Sequence, residues 1–271
     1  MPKTILALAA HPDDAELFAG GTLAKLVAEG ARVVIAIATD GRRGSFEQGG
    51  AALAQTRLAE AASAAAALGA EPPIFLGYPD LELDTLPPGL LREHFVRLIR
   101  RHTPDALFTH DPAARYEPHP DHRAVAWAAS DAAAFAPLPL VHPEHLAEGL
   151  APHFVAEKYF FSDYTEAANK VIDITGEMDR KLAALAEHHS QIKFLVEDVL
   201  RQAHMAGLDV RAMLGDALED PLAAMAWAMR AQATEVGRRI GAAYGEAFRH
   251  ARFHPFVETL FRDSSHPGDL L

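Results

Sequence analysis

The chain opens on an unbroken apolar run, Ile5-Leu6-Ala7-Leu8-Ala9-Ala10, that stops at His11-Pro12-Asp13-Asp14. A strand with no polar residue at alternate positions has no face to offer water, so it belongs inside a sheet covered on both sides. Leu17 to Glu29 then reads as a helix interrupted by Gly20-Gly21. One histidine and two adjacent carboxylates therefore stand where a central strand ends and a helix begins. In open α/β sheets ligands bind in the crevice beyond such strand ends.

The rhythm continues. Arg32 to Thr39 is a β-branched strand that runs into the turn-rich loop Asp40-Gly41-Arg42-Arg43-Gly44-Ser45. Ala51 to Leu68 is an alanine-rich helix stopped by Gly69. Pro73 to Leu76 is a short strand before Gly77-Tyr78-Pro79-Asp80, Leu90 to His102 an amphipathic helix, Asp105 to Thr109 a strand, and His122 to Phe135 a helix. This alternation predicts an α/β fold: a Rossmann-like, mostly parallel sheet with helices on both faces.

The second half differs. Ala136 to Pro152 carries Pro137, Pro139, Pro143 and Pro152 and reads as a long loop, a candidate wall or lid for a site. Glu157 to Ser162 and Lys170 to Ile174 read as strands. Gly176 to Gln191 begins a helix in which His189, rather than His188, shares a face with Lys181 and Leu185 and is expected toward the pocket. From Ile192 to Ala243 the pattern is almost wholly helical, completing a helical C-terminal section. Its stripe Leu222, Met225, Met229, Ala233, Val236 and Ile240 must pack on the core or serve as the seam of a homo-oligomer. With no repeat or linker in view, 1–271 is expected to form a single domain with a helical extension at about 192–243.

Charge and composition remove several classes. A formal charge of −12 argues against a general nucleic-acid or acidic-membrane binder. The absence of cysteine rules out disulfides and thiolate metal ligands. No apolar run is long enough to span a bilayer, and Met1-Pro2-Lys3 leads straight into the first strand, so the expected location is cytoplasmic with no membrane insertion.

The chemistry concentrates in the first motif and in His119-Pro120-Asp121-His122, which follows another strand. A hydrolytic zinc site needs three protein ligands and an open position for water. His11 and Asp14, one short turn apart, can face one ion, and His122 can supply the third ligand. Asp13 cannot point the same way and is left as general base. His119 stands ready to donate to a developing oxyanion, with Asp121 orienting it. Zn2+ suits this donor set, as do Fe2+, Co2+ and Mn2+.

Other residues have bland readings beside functional ones. Asp14 could cap the helix while ligating. Glu16 reads as structural in the first helical turn. Arg42 and Arg43 are a solvated turn or a contact for substrate, and Arg57 and Glu60, at i,i+3, a surface pair. Asp80 is a turn residue or part of the site's mouth, and His110 a local bonding partner. Gly20-Gly21 implies close backbone packing against the sheet, and the missing G-x-G-x-x-G spacing argues against a dinucleotide fingerprint.

Together these motifs resemble the LmbE/PIG-L family of zinc-dependent N-deacetylases. The likeness runs from His11–Glu16 and Gly20-Gly21-Thr22 through Thr39–Ser45, Arg57 with Glu60, Gly77–Asp80 and His119–His122. It continues through Asp173-Ile174-Thr175, Lys181 with His189-Ser190-Gln191, and Tyr244–Phe248. The resemblance implies metal ligands at His11, Asp14 and His122, a general base at Asp13, and an intermediate-stabilising histidine at His119 with Asp121 behind it. It implies a hydrolase acting on a linear amide, removing acetyl from N-acetylglucosamine units such as glycolipid-anchor precursors or the glucosaminyl thiols mycothiol and bacillithiol. The stretch between Gln191 and Tyr244 is longer than in compact bacterial members. Two alternatives stand beside this reading. One is an amidase for a larger N-acyl or thiol-conjugate amide; the other is a non-catalytic sugar- or metal-binding module.

Overall fold

A computed structural model describes residues 3–163, 167–209 and 220–252, together with Val257. The first half alternates as the sequence predicts: β1 (Thr4–Ala9), α1 (Asp14–Ala28), β2 (Arg32–Thr39), α2 (Gly50–Leu68), β3 (Ile74–Tyr78), α3 (Leu90–His102), β4 (Ala106–His110) and α4 (Pro120–Phe135). A short α5 (Glu144–Ala147) precedes β5 (Glu157–Phe161) and β6 (Lys170–Asp173). Then come α6 (Met178–Ala186), α7 (His189–Met205), α8 (Pro221–Arg238) and β7 (Gly245–Ala251).

Among the described residues the sheet runs β3-β2-β1-β4-β5-β7-β6. The first five strands are parallel, and β7 lies antiparallel between β5 and β6. The chain builds outward from β1 to β2 and β3, then returns to place β4 on the other side of β1. That reversal opens a crevice at the carboxyl ends of β1 and β4, the position where doubly wound sheets bind ligands.

Alternate strand residues point to opposite faces. Ile5, Ala7, Val33, Ile35 and Phe108 meet Ala19, Leu23, Ala61, Ala65 and Ala184 from α1, α2 and α6. Leu6, Leu8, Val34, Ala36 and Leu107 meet Phe95, Ile99, Val125 and Ala129 from α3 and α4 on the other face. Small alanines on α1, α2 and α4 let these helices approach the sheet closely. Within α1 the closest approach is at Gly21, where a Cβ would stand 2.7 Å from Ile174 Cδ1. Two glycines in a helix cost about 1 kcal/mol each relative to alanine; here that cost is the condition for close packing, with the loop after β6 rather than with the sheet itself.

Three sequence expectations need correction. The Pro-rich stretch is no lid. His153 donates to Pro104 O at 2.8 Å and Glu157 N to Asp105 O at 3.3 Å, which places this loop at the amino ends of the strands, away from the crevice. Arg100, buried in the last turn of α3, holds it there through the carbonyls of Ala136, Leu138, Val141 and His142. Second, the helix expected from Gly176 breaks after Ala186 and restarts at His189, so helical phase does not carry across 187–188. His188 is consequently buried at 1 % exposure and His189 faces solvent, the reverse of the expected pair. Third, the stretch expected to be helical to Ala243 contains α7 and α8, and 210–219 lies outside the described residues. Ala233 and Val236 of its stripe pack on the core while Leu222 and Ile240 remain exposed. No helix of the described residues is long and apolar enough to cross a membrane.

Candidate active site

The sheet delivers His11 from the end of β1 and His110 from the end of β4, side by side; α4 then brings back His119 and His122. Asp13 occupies the strand-to-helix corner with φ 136° and ψ −23°. This is a backbone setting that side-chain-bearing residues seldom adopt, and such strain collects at functional sites. Asp14, the first helical residue, does not cap the helix. It turns back instead, its Oδ2 accepting Ala10 N at 2.9 Å, His11 N at 2.8 Å and His110 Nε2 at 2.9 Å. With Oδ2 saturated, Oδ1 is the free oxygen, 3.5 Å from His122 Nε2. His11 Nδ1 faces His122 Nε2 at 3.1 Å.

Donor atoms on a tetrahedral zinc ion, each about 2.0–2.1 Å from it, are about 3.3 Å apart. The observed 3.1 and 3.5 Å separations match that spacing. Local electrostatics agree. Burial alone would lower His122, yet Asp14 and Glu117 raise it to about 9. Burial would raise Asp14, yet His122 and His110 hold it well below the ordinary carboxylate range. The pocket thus concentrates negative charge where a cation would sit. Among the described residues three overlapping groups here have donor atoms close enough to share an ion: His11 with His119 and His122, Asp14 with His110 and His122, and His11 with Asp80 and Asp121.

Asp13 turns away from these donors. Its Oδ1 accepts Arg57 Nη2 at 3.0 Å, and the same guanidinium donates to Pro12 O at 2.7 Å and Gly41 O at 3.0 Å. Gly41 makes room for that guanidinium: its φ is +63°, and a Cβ there would lie 2.3 Å from Arg57 Nη1. Burial pushes the Asp13 carboxyl up to about 6, against the pull of Arg57. Arg57 and Glu60 do not pair with each other; Glu60 instead accepts Ser190 N and Oγ at 2.9 and 2.6 Å.

His119 caps α4 with its Nδ1 accepting Asp121 N at 3.3 Å. Burial, with His11 and His122 nearby, pushes its pKa down to about 4. The ring is therefore neutral near pH 7, and its remaining proton sits on Nε2. Asp121 does not orient that ring as expected. Its carboxylate accepts Leu81 N at 2.7 Å and Leu83 N at 3.1 Å, and lies 3.4 Å from His11 Nε2. Asp80, buried, stands 3.2 Å from the same nitrogen and accepts Arg43 N at 3.1 Å. Burial would raise Asp80, but His11 and the Arg43 amide bring it down to about 2. Arg42 turns to Asp40 and away from the centre.

Sequence reasoning gave His110 only a local bonding role and Glu246 no role of its own, and it missed Glu117. His110 is the last residue of the strand beside β1, and that adjacency was the available signal. Glu117 approaches His122 Nδ1 at 3.2 Å. Glu246 on β7 clamps the middle of α1, accepting Gly21 N at 3.0 Å, Thr22 N at 2.8 Å and Lys181 Nζ at 2.6 Å. Glu16 does not bond the first helical turn; its Oε2 lies 3.6 Å from His188 Nε2. A cavity of about 360 Å³ opens onto the cluster, lined by the polar Arg43, Arg57 and Asp80 and by the apolar Leu17, Phe18, Phe194 and Leu195.

Comparison with known proteins places this geometry. Residues 6–133 match the family model described as PIG-L, GlcNAc-PI de-N-acetylase. A diacetylchitobiose deacetylase of Thermococcus kodakarensis is 36 % identical over 191 residues, covering 70 % of each chain. A 1D-myo-inositol 2-acetamido-2-deoxy-alpha-D-glucopyranoside deacetylase of Nakamurella multipartita is 28 % identical, over 73 % of this chain and 83 % of its own. The solved N,N'-diacetylchitobiose deacetylase of Pyrococcus horikoshii superimposes with a TM-score of 0.74 at 30 % identity, covering 99 % of this chain and 89 % of that one. A 4-carboxy-2-hydroxymuconate hydratase of Pseudomonas putida, at 19 % identity and a TM-score of 0.69, shares the fold alone. Function must accordingly be argued from the site.

Proposed function

This chain belongs to the PIG-L family of GlcNAc-PI de-N-acetylases, and from that premise we propose that it hydrolyses the N-acetyl group of an N-acetylglucosamine-containing substrate, with Asp13 as general base. The observation that carries this reading is a buried carboxyl held at about 6 beside a set of donors spaced for one ion. A general base works best with a pKa near the operating pH.

His11, Asp14 and His122 would hold the ion; a His and carboxylate donor set suits zinc, with Fe2+, Co2+ and Mn2+ as the other fits. When bound, such an ion supplies Lewis acidity, polarising a carbonyl and making water easier to deprotonate. Asp13 Oδ takes the proton from the attacking water. Arg57 keeps the carboxylate aimed into the cavity and, by its charge, keeps a useful fraction ionised near neutrality. His119, neutral, directs its Nε2–H at the carbonyl oxygen as negative charge gathers there, adding a preorganised donor. Asp13, now protonated, returns the proton to the departing amine. Arg43 and Asp80 line the cavity where sugar hydroxyls need a donor and an acceptor. Leu17, Phe18, Phe194 and Leu195 offer the apolar faces of the sugar and the acetyl methyl a dry wall.

Metal-loaded protein should release acetate and a free amine in equal amounts from N-acetylglucosaminides, and chelation should stop the reaction. Metal-replete protein that releases no acetate from any such substrate would sink the proposal and favour a binding role. Faster cleavage of bulky N-acyl amides than of acetyl would redirect it to a wider amidase.

A further inference from the structure

We propose that Glu117 is a positioning residue for the metal centre, fixing which way round the His122 ring sits. The inference rests on the assignment of His122 as a ligand made above. Glu117 lies in the loop between β4 and α4. Its Oε1 accepts the His119 backbone N–H at 2.9 Å and approaches His122 Nδ1 to 3.2 Å. The approach is within ion-pair distance, although the ring as set is not aligned for a full hydrogen bond.

The neighbours of His122 explain why such a contact is needed. The ring stacks with two other imidazoles: His110 at 4.1 Å and 22°, His119 at 4.7 Å and 23°. Stacking restrains tilt. It cannot tell the ring from its 180° flip, since both put the same plane against the same neighbours. The flip would exchange Nε2 with a carbon and remove the nitrogen that faces His11 and Asp14. A carboxylate at Nδ1 distinguishes the two, because only one presents an N–H to it. It also assigns the proton to Nδ1, leaving the Nε2 lone pair free, the arrangement by which outer carboxylates commonly orient metal-binding histidines.

Glu117 is itself held. Arg123 Nη1 donates to the carbonyls of Glu117 and Pro118, each at 2.8 Å. Arg123 follows His122 in the first turn of α4, so one helical turn carries both the ring and the cation that anchors its partner. The Glu117 side chain is 11 % exposed, little enough for the contact to escape screening by bulk water.

The test is the zinc dissociation constant of the metal-free protein, measured by competition with a chromogenic chelator, for wild type, Glu117→Ala and Glu117→Gln. Glu117→Ala should weaken binding by about 10–100-fold, with the melting temperature of the metal-free protein unchanged. Glu117→Gln retains an acceptor oxygen and should recover part of the loss, which a merely structural defect would not do. An alanine variant that binds zinc as wild type does overturns the proposal. Should that variant fail to fold, the glutamine variant decides: at least threefold weaker binding supports the role, and unchanged binding overturns it. Wild-type protein that binds no zinc overturns the ligand assignment and this role together. Wild-type protein that binds zinc but releases no acetate removes only the proposed reaction, and the affinity ratios still decide the role of Glu117.

Discussion

At the carboxyl ends of β1 and β4, His11 Nδ1 and His122 Nε2 face one another at 3.1 Å. At the amino ends of the same sheet, His145 turns Nδ1 to Arg100 at 3.2 Å and Nε2 to Glu93 at 2.8 Å. Both ends gather histidines and carboxylates closely enough to suggest an ion site, the second as His142, Glu144 and His145. The difference lies in which donors are already used. In the second cluster a buried arginine and a glutamate take up both nitrogens of its buried histidine, so it pins a loop. In the first, Asp14 commits one oxygen to the backbone and to His110, and its other oxygen stands 3.5 Å from His122 Nε2, which faces His11 Nδ1 at 3.1 Å. Residue type alone does not separate structure from chemistry; unspent valence does.

Four experiments test that contrast, from the largest effect to the smallest. Asp13→Ala should keep the metal and lower turnover by a factor on the order of 10²–10⁴, the range expected for loss of a general base. Turnover within tenfold of wild type would remove Asp13 from that role. Next, His122→Ala should abolish stoichiometric zinc in metal analysis while His145→Ala leaves it intact. Zinc lost from the His145 variant would make the two ends alike after all.

Arg100→Ala should leave the turnover of folded protein unchanged but lower unfolding stability by on the order of 3 kcal/mol, because it strands buried carbonyls. Urea titration measures this, and a loss below about 1 kcal/mol would mean that water replaces the guanidinium. The smallest effect belongs to Glu93. Burial alone would raise its carboxyl, but hydrogen bonds from His145 and Arg97 hold it below the ordinary 4.5. A depressed folded value contributes stability that is complete above the unfolded value and lost as pH falls through the folded one. The stability gap between wild type and Glu93→Gln should therefore be constant from about pH 7 to 5 and close below 4.5. A gap that widens in acid would refute the assignment.

The strands β1, β2 and β4 were legible because burial on both faces leaves an unmistakable apolar run. The place of the site was legible because ligands in such sheets bind beyond the carboxyl ends of the strands, where the two histidine and aspartate motifs fall. β7 was not: Gly245–Ala251 mixes polar and apolar residues, and its pairing with β5 and β6 is decided by distant strands. The prolines of 136–152 announced a loop but carried no information about which end of the sheet it covers. His188 was misplaced because helix formers run through the break at 187–188. The partner of Asp121 was misjudged because its bonds to Leu81 and Leu83 span about forty residues, a separation that no local spacing reveals.

One consequence follows from the corner at Asp13. A φ of 136° suits a residue with no side chain, so glycine would relieve the turn and remove a buried carboxyl in one step. If Asp13 is the base proposed above, that exchange would trade turnover for backbone ease, so durability and activity would pull in opposite directions at this position.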